Sequence, residues 1–245
     1  MVRRAIALSQ GNQAEAGVPS WLLLAYARAL LDLRRLDEAA DYAERAYAKA
    51  QTVGDQFLER ALWVRTAVYC SQGDFERAAQ MLSEVESVLR RNLPNGHTAF
   101  GALASQEALI AQAPGKTQTA LDLANQAVAI AEASIREGRE GAAYLQIFLV
   151  WRSQIQLQLG HKDEAAGDAR RVLKIVLDRM QPGTFSVTLG RAYLALGRAL
   201  QAQGKHEEAS LAFRSAVEHL QSALGPDSAE TLAARQLAQP ELPVR

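Results

Sequence analysis

A recurring turn motif constrains the fold of this chain more than any other feature of its sequence. Five segments share an apolar helical stretch, a short polar turn, and a second helical stretch that opens near an alanine. The five alanines are Ala39, Ala78, Ala120, Ala165 and Ala209. They are separated by 39, 42, 45 and 44 residues. A repeat of this length is typical of a solenoid, in which each helical hairpin buries its apolar face against its neighbours.

The turns contain residue types that end one helix and begin the next. Gly73, Gly160 and Gly204 are expected to close first helices, because glycine adopts a left-handed conformation without a Cβ penalty. The acidic residues that follow the turns are Asp37, Asp74, Asp163 and Glu207. We expect them in the first turn of each second helix, where carboxylates can cap free N–H groups and stabilise the helix dipole.

The second helical stretches carry apolar residues at i, i+3, i+4 and i+7, which predicts one buried face per helix. Leu82, Val85 and Leu89 form one such set. No alternating β-branched run flanked by hairpin turn signals competes with this pattern. The predicted fold class is therefore all-α, a right-handed α-α superhelix of about five helix–turn–helix repeats with additional terminal helices.

No linker divides the sequence, so a single repeat domain over residues 1–245 is predicted. The approximate repeats are 20–52, 57–92, 99–136, 142–180 and 186–224, followed by a capping helix at about 227–238. Residues 1–8 are expected to be the tail of a helix. Residues 240–245 contain two prolines and are expected to be non-helical.

Charge and cysteine content limit the possible partners and compartments. The chain has 27 Lys and Arg against 27 Asp and Glu, whereas nucleic-acid binders usually carry a basic excess. The single cysteine, Cys70, allows no internal disulfide, and this favours the cytoplasm. We expect Cys70 to be a core residue of a helix. No apolar run is long enough to span a membrane, and residues 1–8 are too short for a signal peptide.

The repeats resemble the tetratricopeptide repeat family over roughly residues 20–220. The best match is the last repeat, through Tyr193, Leu196, Gly197, Gly204, Ala209, Phe213 and Ala216. The long period of about 39–45 residues and the segment 224–233 are similar to the repeats of kinesin light chains and of bacterial regulators and kinases. The resemblance implies stacked helical hairpins that bind another protein.

Two first helices depart from the family pattern at equivalent places. The small residue of the family is Thr66 in the second repeat and Ser153 in the fourth. The large apolar residue before it is replaced by Arg65 and Arg152. Because a buried, unpaired arginine is costly, either these helices are rotated or the two guanidinium groups reach a groove.

Residues for catalysis do not converge in the sequence. The histidines are His97, His161, His206 and His219. They lack metal-ligand spacing, and no cysteine pair, phosphate loop or nucleophile motif is present. We therefore expect no enzyme activity, no cofactor and no metal site.

In this family the first helices of successive repeats line a concave groove, and the resemblance implies such a groove here. The predicted groove residues are Arg28, Arg60, Trp63, Gln106, Trp151, Gln154, Arg191 and Arg198. Tryptophan and arginine dominate interface hot spots, although Trp63 and Trp151 would serve equally as core residues with the indole N–H at the rim. The Lys/Asn carboxylate clamp of the chaperone-tail binders is absent, while the arginines favour an acidic peptide.

The predicted function is a protein-interaction scaffold that binds a partner peptide or helix in the concave groove. The alternative is a regulatory sensor domain of a larger bacterial signalling protein, such as a kinase or transcription regulator, that responds to a small ligand or peptide. Self-association of the array into a homo-oligomer is a third hypothesis. Neither nucleic-acid binding nor membrane insertion is expected.

Overall fold

Eleven α-helices make up most of the described part of the chain. The computed structural model describes residues 18–53, 58–94, 96–111, 116–139, 141–181 and 183–239. The helices are α1 Ser20–Asp32, α2 Leu36–Val53, α3 Leu58–Gln72, α4 Phe75–Asn92, α5 Thr98–Ala111, α6 Thr117–Arg136, α7 Ala142–Gln158, α8 Lys162–Leu177, α9 Val187–Ala202, α10 His206–Leu224 and α11 Ala229–Ala238. These ranges contain no strand, and the predicted all-α class is confirmed. The expectations for residues 1–8 and 240–245 lie outside the described residues.

The chain divides into two compact units, Met1–Asn95 and Gly96–Arg245. The first unit contains the hairpins α1–α2 and α3–α4, and the second contains α5–α6, α7–α8, α9–α10 and the single helix α11. Within each unit, every helix packs against the helices before and after it. First helices of successive hairpins also touch, α1 with α3 in the first unit and α7 with both α5 and α9 in the second. Each unit therefore presents a row of first helices.

Three turns within hairpins have the same left-handed geometry at glycine. Gly73, Gly160 and Gly204 have φ angles of +79°, +81° and +81°. After α3, the N–H of Asp74 donates to the carbonyl of Tyr69, and equivalent hydrogen bonds close α7 and α9. Left-handed glycines with this bonding pattern satisfy carbonyls that the helix itself leaves free. The turn glycines thus lie where the sequence predicts them.

The first hairpin makes the same turn without glycine. Arg34 has a φ angle of +59°, the only positive value at a non-glycine residue among the described residues. The N–H of Arg35 donates to the carbonyl of Leu30, so the hydrogen bonding matches that of the glycine turns. The left-handed region is unfavourable for a residue with a Cβ, so this turn carries a conformational cost that the others avoid.

Only one of the four acidic residues after the turns caps a helix with its side chain. Asp74 precedes α4, and its carboxylate accepts a hydrogen bond of 3.1 Å from the N–H of Arg77. The other three acidic residues, Asp37, Asp163 and Glu207, lie inside the first turns of α2, α8 and α10. There they meet the positive end of the helix dipole without occupying the cap position. The capping expectation is therefore correct for one hairpin alone.

Small residues allow the paired helices to cross closely. Ala39, Ala78, Ala120 and Ala165 are 0% exposed and Ala209 is 2% exposed. Helices α9 and α10 also approach closely at Gly197, where an added Cβ would lie 2.5 Å from Cδ1 of Phe213. A larger residue would force these helices apart, since packed interiors have no room for an extra methyl group at this distance.

The two departures at Arg65 and Arg152 are explained by contacts with second helices. Arg152 on α7 donates from Nε and Nη2 to the two carboxylate oxygens of Asp168 on α8, each at 2.7 Å. Its Nη1 donates to Asn125 on α6 at 3.1 Å. Hydrogen bonding to Asp168 raises the pKa of the Arg152 guanidinium above its ordinary value, against the opposing effect of burial. This arginine therefore joins its first helix to two second helices.

Arg65 on α3 is 8% exposed and has a different set of partners. Its Nε donates to Glu44 on α2 at 2.7 Å, and the same carboxylate oxygen accepts from the hydroxyl of Tyr69 at 2.7 Å. The guanidinium lies 4.0 Å from the ring centroid of Tyr47 on α2, in a cation–π contact. Both arginines thus point toward second helices, and neither serves the predicted groove.

Candidate functional site

The first helices of the first unit enclose a groove that contains three of the predicted site residues. The groove has a volume of ≈ 600 Å³. The lining residues are Trp21, Leu24, Ala25 and Arg28 of α1, and Arg60, Trp63 and Val64 of α3. Positions three, four and seven apart lie on one face of a helix, so each helix contributes a single stripe.

The groove combines an apolar floor with exposed aromatic and cationic side chains. Leu24 is 6% exposed and lies at the floor, whereas Trp21 is 52% exposed. Trp63 is partly buried, and Arg28 and Arg60 are exposed. The lining residues include two arginines and no acidic residue, so they carry a positive charge. Such a groove suits a ligand with an apolar group and a nearby negative charge.

Trp21 is a groove residue that the sequence reasoning missed. It lies seven positions before Arg28 on α1, and the helical period therefore places both on one face. The same periodicity could have identified Trp21 from the sequence, because Arg28, which shares its face of the helix, was predicted as a groove residue. A half-exposed tryptophan is unusual enough to mark a contact surface rather than a core position.

The second unit presents the other predicted residues on three first helices. They are Gln106 on α5, Trp151 and Gln154 on α7, and Arg191 and Arg198 on α9. All five are partly buried. Trp151 packs against the hydrophobic core of this unit, which agrees with the alternative reading of that residue as core packing. Each of these positions remains a predicted site residue.

Two exposed residues extend the α7 surface beside Trp151. Tyr144 is 41% exposed and Ile147 is 43% exposed. With Trp151 and Gln154 they follow a spacing of three or four residues and so share one face of the helix. An aromatic and aliphatic strip exposed to this extent is a second candidate contact surface.

Arg191 and Gln106 have surroundings that the sequence did not indicate. Arg191 donates from Nε and Nη2 to the two carboxylate oxygens of Glu230 on α11, at 2.8 and 2.6 Å. In this structure Arg191 therefore joins α11 to α9. The side-chain oxygen of Gln106 is buried and accepts no hydrogen bond from any described residue.

Groups that could support catalysis are not gathered in the described residues. Burial raises the pKa of the Cys70 thiol to about 11, so the thiolate needed for nucleophilic chemistry is disfavoured. Among these residues no three His, Cys, Asp or Glu side chains are grouped as a metal ion would require. None of the described helices is both long and apolar enough to cross a membrane.

Comparison with known proteins identifies the class of repeat. Residues 189–230, which include most of α9, all of α10 and the start of α11, match the family model described as a tetratricopeptide repeat. No curated protein sequence matches the chain. The predicted resemblance to the tetratricopeptide repeat family is confirmed by the family-model match, which covers the last repeat of the chain. Proteins with repeats of this class are generally interaction scaffolds and not enzymes.

Solved structures with the same fold cover most of the chain. One is a putative kinesin light chain with nearly identical TPR-like repeats from Podosopora anserina, at 20% identity and a TM-score of 0.55. The match covers 84% of this chain and 98% of that one. Another is BtubC (BKLC) from P. vanneervenii, at 17% identity and a TM-score of 0.61, covering 91% of this chain and 88% of that one. At such low identity the likeness shows a shared fold.

Proposed function

We propose that the protein is an interaction scaffold that binds a peptide segment of a partner protein in the first-helix groove of its first unit. The observation that carries this proposal is that Trp21, Trp63, Arg28 and Arg60 line one groove. Tryptophan and arginine are the residues most enriched at interface hot spots. The exposed strip around Trp151 on α7 is a further candidate surface of the same function.

The chemistry of the groove indicates which peptide it would bind. A cavity of ≈ 600 Å³ with Leu24 at its floor accommodates one or more apolar side chains between the two tryptophans. Arginine forms forked hydrogen bonds with carboxylates, so Arg28 and Arg60 favour an acidic residue beside the apolar one. The proposed ligand is therefore a peptide with an aliphatic or aromatic residue next to an aspartate or glutamate.

The proposal is tested by capture from a cytoplasmic extract, the compartment that the single cysteine, Cys70, favours. The baits are the full chain, a Trp21→Ala/Arg60→Ala variant, and a matched control, Phe75→Ala/Arg91→Ala. The control removes an exposed aromatic residue and an exposed arginine from the second helix α4 of the same unit. All three baits are first shown to be equally helical by circular dichroism.

We expect the full chain and the control to retain a common protein, and the groove variant to lose it. Retention of that protein by all three baits would move binding to another surface. Retention by none, together with a thermal shift caused by a small molecule, would favour the sensor hypothesis.

A peptide of the captured protein then gives a direct readout at the groove. The chain contains three tryptophans, so the tryptophan emission of a Trp151→Phe variant comes only from Trp21 and Trp63. We expect its emission to shift on titration with the peptide. In the Trp21→Ala/Arg60→Ala variant, affinity should fall by about tenfold or more, as for a hot-spot pair.

A further inference from the structure

The second unit has another concave site, formed mainly by its second helices. It lies where α6 and α8 end and α7 begins, and its volume is ≈ 470 Å³. The lining residues are Glu132, Ile135, Arg136, Leu145, Arg171, Ile175 and Arg179. None of them belongs to the predicted first-helix groove, so this pocket is a separate surface.

Three aliphatic side chains provide the apolar part of the pocket. Leu145 is 3% exposed, Ile175 is partly buried, and Ile135 is 38% exposed. A large aliphatic residue exposed to this extent between charged side chains leaves apolar surface in contact with water. A ligand that covers Ile135 would therefore gain hydrophobic stabilisation.

Three arginines surround this apolar surface, against a single carboxylate. Arg171 on α8 donates to Glu132 on α6 at 2.5 Å, which neutralises one of the arginines and joins the two helices. The guanidinium groups of Arg136 and Arg179 make no hydrogen bond or ion pair with the described residues. The pocket therefore keeps two positive charges that its own residues leave uncompensated.

The helix dipole explains part of this arrangement but not all of it. Arg136 lies in the last turn of α6, where a cation interacts favourably with the negative helix end. This effect requires only a charge near the helix terminus. It does not require Arg136, at the end of α6, and Arg179, just after α8, to border one cavity that has Ile135 at its surface.

We propose that this pocket docks an acidic peptide segment of a partner protein. An aliphatic side chain of the peptide would cover Ile135 and Ile175, and carboxylates on either side of it would pair with Arg136 and Arg179. Charge complementarity favours an anion, and forked guanidinium hydrogen bonds suit a carboxylate. The aliphatic surface favours a peptide over single-stranded nucleic acid, which binds through base stacking on aromatic side chains.

The test uses a fluorescein-labelled peptide in which single leucines alternate with pairs of glutamates, and it measures fluorescence anisotropy. The full chain carries Trp21→Ala/Arg60→Ala in every titration, so that binding at the first-helix groove is weakened equally in all of them. Three variants are made on this background: Arg136→Ala/Arg179→Ala, Ile135→Ser, and the control pair Lys162→Ala/Lys205→Ala. The control removes the same charge from exposed positions at the N-terminal ends of α8 and α10.

We expect saturable binding to the background chain. The Arg136→Ala/Arg179→Ala pair should raise Kd by about tenfold, and Ile135→Ser by about threefold, through lost charge pairing and lost apolar contact. The control pair should change Kd by less than about twofold.

Several outcomes would overturn the proposal. One is the absence of saturable binding up to about 1 mM peptide. Another is an equal loss in the control pair, which would indicate an unspecific charge effect. A peptide with serine in place of leucine that binds as tightly would exclude the apolar contact. Tighter binding of a labelled single-stranded oligonucleotide would assign the surface to nucleic acid instead.

Discussion

Two arginines that face second helices, one in each unit, occupy equivalent places in their repeats and are stabilised in different ways. Arg152 shares two hydrogen bonds with Asp168, whose side chain is 9% exposed. Arg65 shares one with Glu44, whose side chain is 41% exposed, and stacks on the ring of Tyr47. The second unit thus depends on a desolvated ion pair, whereas the first uses a carboxylate that water still reaches.

The last repeat shows a third solution at the same place. There the residue pair is Leu196-Gly197, and the close approach of Phe213 to Gly197 replaces the polar contacts. Comparison of these hairpins shows that the repeat requires a small residue where its two helices cross. The preceding residue is free to vary, provided that a buried charge has partners.

The largest expected effect separates the two arginines. Asp168→Ala should destabilise the second unit by about 3 kcal/mol, because it leaves the largely buried Arg152 without the carboxylate that accepts two of its hydrogen bonds. Glu44→Ala should cost the first unit about 1 kcal/mol, since the carboxylate that it removes is partly exposed to water and the ring of Tyr47 remains against Arg65. Urea unfolding measures both, with Trp151 as the fluorescent reporter of the second unit and Trp21 with Trp63 as reporters of the first.

Each reporter is isolated by changing the other tryptophans to phenylalanine, because the two units can unfold in separate transitions. An Arg152→Met/Asp168→Ala variant is the control, and it should recover part of the stability that Asp168→Ala loses. Equal losses for Asp168→Ala and Glu44→Ala would contradict the proposed difference between the units.

A smaller effect is expected at the close crossing of the last repeat. Gly197→Ala should destabilise the second unit by about 2 kcal/mol, because its Cβ would overlap the ring of Phe213. Gly167→Ala on α8 is the matched control, since a Cβ there meets no atom within 4 Å. That control should stabilise the unit by about 0.5–1 kcal/mol, as alanine is the better helix former. Thermal unfolding of both variants distinguishes the signs.

The smallest effect concerns the turn that lacks glycine. Arg34→Gly should stabilise the first unit by about 0.5–1 kcal/mol, because it relieves the left-handed strain at this position. Gly73→Ala, in the next turn, should lower the stability of the first unit by a similar amount, although a Cβ there meets no neighbouring atom. A loss of stability in Arg34→Gly would show that its side chain, rather than its backbone, decides the stability of the turn.

Features set by neighbouring residues could be predicted from the sequence. The left-handed turn at Gly204 and the burial of Ala165 follow from glycine geometry and helical periodicity, which act over a few residues. The stripe of α1 that carries Arg28 follows from the same periodicity. The acidic residues show the limit of such rules. Asp74 immediately precedes its helix and caps it, whereas Asp163 is the second residue of its helix and therefore lies inside the first turn.

The candidate site was predicted only in part, because a groove needs side chains from different helices. Arg28, Arg60 and Trp63 were predicted and share one groove, while Trp21 was missed although it lies on the same stripe. Arg191 was predicted for the groove by its place in the repeat. Its pairing with Glu230, 39 residues further along the chain, has no local signal.

By itself the sequence determined the all-α class, the hairpins with their turns, and the small residues at the crossings, because local periodicity and backbone preferences encode them. Only the tertiary structure decided the partners of Arg65 and Arg152 and the meeting of Trp21 with Trp63. These depend on how each helix is rotated and how closely it crosses its neighbour. That geometry results from the packing of many side chains at once, so no single stretch of sequence contains it.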